Sequence, residues 1–548
     1  MFDIIFTIHD AKEQHFSRVN KGFSLKRRGK FPKKMYLCTK MTRNVINKTA
    51  WRIKVIVILI TYHLSLITSA AQMDSLRYRA ELQTTLGTGD YNPLWLNANR
   101  YGLSSLKTTN GYLRGTIERP LSLDDGRKWG LGYGADVALA SGFTSTLVVQ
   151  QAYVEGRWLK GTLTVGAKEQ PMELKNMELS SGSQALGINA RPIPQVRVAL
   201  PDFWIIPGTK EWMALKGHIA FGKTTDDKWQ KDFTSQQSRY TEGTLYHSKA
   251  GYLRIGPKNV TVTVGLEMAT QFGGKGYLFD NGIKQEVDNE SGLSAFMHAL
   301  FYGGSDKPDG DFKNTEGNQL GSGLLRVDIH QTDWSLGLYA DKFFEDYSMM
   351  VHMNKSGDGY FAYDFKDWLL GAELQLNRLE WLKGIVLEYL YTKYQSGPVY
   401  HDQTPNVPIQ ISARDNYYNH YLFMGWQHWG QVIGNPLYLS PLYNEDGAIE
   451  VKHNRFVAWH LGVNGDPTMN WHYRLLASWQ KSYGSYYYLP VEPVSNWSLL
   501  AEASWNLPKG GWSIKCALGL DSGDLRGKNF GFQLGVQKTG WLNIKKKQ

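Results

Sequence analysis

From residue 110 onward, apolar and polar side chains alternate with a period of two in segments of roughly 8–13 residues. In 129–140 one face carries Trp129, Leu131, Tyr133, Ala135, Val137 and Leu139, and the other carries glycine, alanine and Asp136. Residues 260–268 set Val260, Val262, Val264, Leu266 and Met268 against Thr261, Thr263, Gly265 and Glu267. Residues 497–506 place Trp497, Leu499, Ala501, Ala503 and Trp505 opposite Ser498, Leu500, Glu502, Ser504 and Asn506. An apolar row ending in aromatics, backed by small and polar residues, suits a strand with lipid on one side and a wet or plugged lumen on the other. A soluble antiparallel sheet with one solvated face produces the same alternation. Its repetition over some 400 residues, without helical periods to cover a sandwich, favours the barrel.

The pattern predicts strands at 110–119, 129–140, 145–158, 161–168, 212–222, 244–256, 260–272, 321–330, 334–340, 367–377, 385–394, 456–464, 471–482, 497–506, 512–520 and 530–540. These sixteen, an even number, put both termini on one side. From residue 212 the connections alternate. Long ones fall at 223–243, 273–320, 341–366, 395–455, 483–496 and 521–529, and short ones at 257–259, 331–333, 378–384, 465–470 and 507–511. Outer-membrane barrels pair long extracellular loops with short periplasmic turns, which assigns the C-terminus to the periplasm. Segment 293–301 has helical spacing and reads as a short helix in a loop. Segment 417–429 alternates poorly and belongs to the 395–455 insert, folded over or into the lumen. Segment 169–211 is too long for a periplasmic turn, and its run ARPIPQVRVALPDFWIIPG is too rich in proline for a central strand throughout; it is either a plug or hides a strand pair. The fold class expected is all-β: a transmembrane outer-membrane barrel of 16–18 antiparallel strands, with long extracellular loops and a partial plug. Its segments are a periplasmic N-terminal stretch at 72–109 and a barrel over 110–548, with inserts at 169–211, 273–320 and 395–455.

Charge and leader agree with that picture. Residues 1–71 hold 14 of the 61 Lys and Arg but only 3 of the 50 Asp and Glu, so residues 72–548 carry 47 of each. A neutral folded part lacks the basic footprint that nucleic acid requires. Mean hydropathy is −0.39, and no apolar run after Ala71 is long enough for a membrane helix. The apolar run VIVILITYHLSLI at 55–67 follows Arg43, Lys48, Arg52 and Lys54 and precedes Thr68-Ser69-Ala70-Ala71. These are the parts of a cleavable secretory signal, with cleavage after Ala71 and Met41 as the expected start; residues 1–40 then read as translated upstream sequence or an over-long start. Only Cys516 remains beyond the cut, so no disulfide framework is expected.

Several interstrand runs resemble a known family: YNPLWLNANRYG (91–102), SSGSQALGINARPIPQVRV (180–198), GNQLGSGLLRVDI (317–329), FFEDYSMMVHMNKSGDG (343–359) and DNYYNHYLFMGWQHWGQVIGNPL (415–437). Together they are similar to the capsule assembly protein Wzi family of outer-membrane proteins, over roughly residues 75–540. The resemblance implies a barrel of about 18 strands with helical elements at the periplasmic end and loops closing the pore. One strand pair hidden in 72–109 or 169–211 would complete that number. It also implies a lectin-like role, holding exported capsular polysaccharide at the cell surface. The chain departs from many barrels in running past Trp541 to Lys545-Lys546-Lys547-Gln548 instead of ending on an aromatic last-strand residue.

Candidate chemistry concentrates in the 395–455 insert. Arg414, Asp415, Asn416, Tyr417 and Tyr418, with Trp426, Gln427, His428 and Trp429, combine rings with planar polar groups. Sugars offer apolar C–H faces to rings and hydroxyls to such polar groups; the alternative is that these rings pack the insert against the barrel wall. With four Lys against eight acidic residues in 273–320, and three Lys or Arg against five in 395–455, neither large loop is basic, so stacking rather than charge should carry recognition. The glycan reading expects Trp426→Ala and Trp429→Ala to weaken binding while the barrel still assembles. The eleven His after residue 71 lack metal-ligand spacing, and Asp306–Glu316 lacks a regular Ca²⁺ loop, so no metal or cofactor is expected. The expected function is therefore non-catalytic binding of capsular or extracellular polysaccharide in the outer membrane. Partners would be the polymer, outer-membrane lipid and the barrel-assembly machinery, with no nucleic acid. The rivals are a porin-like channel and an outer-membrane hydrolase.

Overall fold

The computed structural model describes residues 75–280, 282–301, 317–345, 366–395 and 416–543. The signal segment with its cut at Ala71, Arg414, Asp415, Asp306–Glu316 and Lys545–Gln548 lie outside them.

The chain forms a closed antiparallel barrel of eighteen strands. They are β1 (Ser75–Thr88), β2 (Asn110–Arg119), β3 (Trp129–Ser141), β4 (Leu147–Trp158), β5 (Gly161–Ala167), β6 (Gln195–Ile205), β7 (Met213–Lys223), β8 (Leu245–Ile255) and β9 (Val260–Phe272). Then follow β10 (Asn318–His330), β11 (Trp334–Glu345), β12 (Trp368–Leu376), β13 (Gly384–Tyr391), β14 (Phe456–Thr468), β15 (Trp471–Ser482), β16 (Val494–Asn506), β17 (Trp512–Gly523) and β18 (Asn529–Asn543). Each strand pairs with its sequence neighbours, and β1 closes on β18 from Ser75↔Asn543 to Thr88↔Phe530. Closure leaves no open edge and satisfies the backbone internally, the condition for crossing a bilayer with strands.

Sixteen of these strands lie where the alternation places them. The other two are single strands, one in each of the two segments considered. Residues 75–88, expected in a periplasmic segment, are β1 of the barrel. Its outward row is diluted by Ala80 and Thr84, and its inward row carries Arg77, Arg79, Glu81 and Gln83, so it reads as solvated. Within 169–211, residues 195–205 are β6. Proline is tolerated there because Pro201 lies beyond the β5 pairing, which ends at Ala199, and inside the register shift between Leu200 and Trp204 against β7. Restoring β6 repairs the alternation of loops: 168–194 joins the long-loop end and 206–212 the short-turn end.

Turns at the terminus-bearing end span two to nine residues, whereas 392–455 at the other end spans 64. Leu82, Leu113, Leu139, Val149, Val198, Val264, Leu325 and Leu475 point outward and are exposed, forming an apolar belt. Trp129, Trp158, Trp204, Trp212, Trp334, Trp381, Trp471, Trp505, Trp512 and Trp541 sit at or beside the short turns, all exposed. A belt bordered by a tryptophan ring is the lipid-facing surface of an outer-membrane barrel, with the ring at the headgroup level. The predicted helix is present as Leu293–Phe301 in the 273–317 loop.

The lumen is filled by chain from the long-loop end. Segments 89–109, 168–194 and 416–455 bring Leu94, Trp95, Leu179, Ala185, Trp426, Val432 and Tyr438 into one buried cluster with inward residues such as Leu320, Phe343 and Leu476. Wall carboxylates hold this plug. Lys175 meets Asp341 at 2.7 Å, Ser180 Oγ donates to Glu388 at 2.6 Å, Asn176 Nδ2 to Glu373 at 2.9 Å, Arg100 Nη2 to Glu502 at 2.8 Å and the Leu94 N–H to Asp521 at 3.0 Å. Buried charges are tolerable only when paired and hydrogen-bonded, as here.

Candidate functional site

The insert residues singled out in the sequence fall into two environments. Tyr417, Tyr418, Trp426 and His428 are buried within the lumen. Trp426 donates from Nε1 to the Ala185 carbonyl at 2.8 Å and stacks on Tyr246 with ring centroids 5.8 Å apart. Tyr417 Oη donates to Asp367 at 3.0 Å. Tyr418 donates from Oη to the Gln184 carbonyl, stacks on Tyr438 at 4.1 Å and meets Phe343 edge-on. His428 accepts at Nε2 from the Thr225 N–H at 3.1 Å, so its Nδ1, 2.9 Å from the Arg191 carbonyl, is the donor. Burial pushes its pKa below the ordinary value despite nearby Asp226. The packing alternative describes these four residues. They hold the plug and offer no face to a polymer.

Trp429 differs. Gln427–His428 and Gln431–Val432 form a small hairpin whose two turn residues, Trp429 and Gly430, have φ of 56° and 79°, the signs a type I′ turn requires. The indole Nε1 donates to Thr225 Oγ1 at 3.2 Å, the Arg191 guanidinium covers the ring at 4.4 Å, and the remainder of the ring is half-buried. Burial pushes Arg191 down to about 10, and Asp226 partly opposes this. Asn416 accepts at Oδ1 from Asn419 and Asn454, pinning the start of the described insert.

A group that the sequence reading passed over is exposed instead. At the long-loop ends of β12–β16, the chain segments 366–367, 391–395, 452–455 and 481–488 converge. The Arg455 N–H donates to the Gly484 carbonyl at 2.9 Å, the Tyr483 N–H to the Arg455 carbonyl at 2.8 Å, and Tyr486 Oη to the Tyr394 carbonyl at 3.0 Å. Ser485 Oγ accepts from the Tyr487 and Tyr488 N–H groups at 3.1 and 2.9 Å, a hydroxyl-stabilised turn that projects the following rings. Tyr487 is 68 % exposed and Tyr488 43 %.

Cations cover these rings. Arg455 lies 4.0 Å from the Tyr486 centroid, Lys393 4.1 Å from Tyr483, Lys366 4.1 Å from Tyr394 and Lys452 5.5 Å from Tyr488. Among the described residues, Lys393, Arg455 and Lys481 have no carboxylate within ion-pair distance, while Lys452 pairs with Asp446 at 2.5 Å. Among the described residues the rim is thus aromatic and locally basic, unlike the balance of the loops as sequence blocks. The blocks missed this because Lys366 and Lys481 come from outside the 395–455 insert, and its Lys452 and Arg455 stand at its last turn. The sequence signal for the rim was the run YGSYYYLP at 483–490, three consecutive tyrosines in a loop. Chemically, the rim offers ring faces for sugar C–H groups and cations for acidic substituents.

No family model and no curated protein matches the chain. Among solved structures, it is similar to Wzi of Escherichia coli, described as an outer membrane protein involved in group 1 capsule assembly and a carbohydrate-binding β-barrel, at 14% identity, with 88% of this chain and 87% of that one covered and a TM-score of 0.48. It is also similar to OprD of Pseudomonas aeruginosa (11% identity, 86% and 95% covered, TM-score 0.40) and to OccAB3 of Acinetobacter baumannii (10%, 85% and 99%, 0.41). At these identities and scores the likenesses do not separate one function from another.

Proposed function

We propose that the protein holds an acidic capsular or extracellular polysaccharide at the cell surface, by its extracellular rim and without catalysis. The observation that carries this reading is a division of labour among the aromatics. The lumen's rings are consumed by packing, whereas Tyr487 and Tyr488 stand exposed on a rim where, among the described residues, Lys393 and Arg455 over Tyr483 and Tyr486 have no carboxylate partner. The rim's convergent hydrogen bonds fix the backbone that carries these rings, which limits the ordering cost of binding. Stacking supplies contact with any pyranose face, and Lys393, Arg455 and Lys481 favour polymers bearing carboxylates.

The test is a titration of purified protein with the host's surface polysaccharide at low and high salt. Wild type should bind, and Tyr487→Ala with Tyr488→Ala should weaken binding by ~1 kcal/mol or more, the lower range for aromatic anchors. Affinity should fall with salt as the rim's cations are screened. Equal affinity in wild type and the double variant would reject the rim. A porin-like channel remains the rival, since a cavity lies along one side of the lumen; steady single-channel conductance in planar bilayers would favour it.

A further inference from the structure

At the short-turn end, the lumen is not filled. A cavity of about 410 Å³ lies against the inner faces of β4–β8, and a narrower extension of about 90 Å³ runs up the same wall beneath the plug. Its location is opposite to the extracellular rim, with Arg77 near the start of β1 and Pro120 and Leu121 of the 120–128 turn at its margin.

Three of the four cations lining the larger space are neutralised by the protein. Arg77 pairs with Glu118 at 2.5 Å, Lys168 with Glu155 at 2.5 Å and Lys216 with Glu173 at 2.7 Å. The fourth is Arg197 of β6. Its neighbours Val196 and Val198 face lipid, at 50 % and 59 % exposure, so Arg197 points inward. It lines both parts of the cavity, and among the described residues its guanidinium makes no hydrogen bond and no ion pair, with Glu173 and Glu267 acting on it only through space. Four cations against three carboxylates leave the larger space with one positive charge beyond its ion pairs, which buried Glu267 opposes from the extension. A partly buried guanidinium without acceptors is expensive and is normally bonded or bound to a ligand.

We propose that this vestibule is a binding site for a small hydroxylated monocarboxylate, such as a uronic acid unit, taken from the periplasmic side. The guanidinium fork matches a carboxylate through two parallel hydrogen bonds. Glu118, Glu155 and Glu173 around it disfavour a second negative charge, so a monoanion is preferred to a phosphate dianion. Thr162, Thr164 and Gln170 offer hydrogen-bonding partners to hydroxyls, and Pro171 and Leu200 offer apolar surface to a sugar ring. The volume lies in the range of small-molecule sites, ~300–1,000 Å³. The site is independent of the rim: neither set of residues touches the other.

The experiment is isothermal titration of the full protein in mild detergent with glucuronate, glucose and inorganic phosphate. Glucuronate should bind saturably, with glucose and phosphate at least tenfold weaker. Arg197→Gln should weaken glucuronate at least tenfold, and Arg197→Lys less, because it retains a point charge without the fork. Gln170→Glu, in a loop and therefore light on assembly, should also weaken glucuronate about tenfold by adding a carboxylate. Tyr487→Ala should leave it unchanged. No glucuronate binding, phosphate or glucose binding as tight as glucuronate, or insensitivity to both Arg197→Gln and Gln170→Glu would overturn the site. Loss of glucuronate binding in Tyr487→Ala would place the ligand on the rim and overturn it as well.

Discussion

Trp426 and Tyr487 are both aromatic loop residues, and their surroundings give them opposite roles. Trp426 is fully buried, stacks on Tyr246 and donates to the Ala185 carbonyl. Trp426→Ala should therefore cost ~3–5 kcal/mol of plug docking, the range for removing a buried Trp or Phe, and leave the carbonyl unpaired. Protease cleavage within 416–455 of the intact barrel should appear in this variant and be absent in wild type; an equally resistant variant would show that the side chain carries no docking energy. This replaces the expectation that the substitution would weaken glycan binding alone. Tyr487→Ala removes an exposed ring and should change stability by no more than ~0.5 kcal/mol, while weakening polymer binding. The difference between the two residues was not legible locally. Trp426 is buried by a segment 241 residues away, and composition cannot report which loop rings find partners inside the lumen.

At the scale of elements, the plug depends on two backbones meeting. A Cβ on Gly187 would lie 2.6 Å from the Ile433 carbonyl oxygen, and one on Gly434 would collide with Tyr418 Oη and the Gln184 carbonyl. Residues 180–198 and 416–437, which carry much of the sequence resemblance, are thus packed directly against each other. Gly434→Ala should release both together, seen as raised amide exchange in 182–187 as well as in 416–437; exchange confined to the mutated segment would argue against the pairing. The same insert should respond to acid. His420 is held down to about 4 by burial and by Arg239, and His453 to about 4 by burial, Arg526 and Lys452, against an ordinary value of 6.5. The undocked insert therefore binds more protons than the docked one between pH 6.5 and 4, so docking is fully stable above 6.5 and weakens as pH falls through that window. Amide exchange of 416–455 at pH 7.5 and 5, corrected for intrinsic rates, should show this loss; greater protection at pH 5 would contradict it. The two strands missing from the sequence pattern have element-level causes as well. β1 lines the lumen with charge, and β6 carries a proline that only its bulge and missing partner permit.

For the whole molecule, the alternation and loop parity were enough to predict a barrel, because a strand facing lipid on one side must repeat its pattern at every turn of the wall. Unheated protein in mild detergent should migrate differently from boiled protein and give a β-dominated circular dichroism spectrum; identical migration with helical spectra would contradict the barrel. The rim's charge was illegible for a different reason. Four separate segments build it, and its charge emerges only when their ends converge. The central claim is that this rim retains a polymer which other proteins make and export. It is tested most directly by deleting the gene, restoring wild type or the Tyr487→Ala, Tyr488→Ala double variant, and measuring cell-bound and released polysaccharide separately. Deletion and the double variant should leave total polymer unchanged and shift it from the cells into the medium, with wild type reversing the shift. A fall in total polymer, or a double variant that retains polymer as well as wild type, would contradict the account.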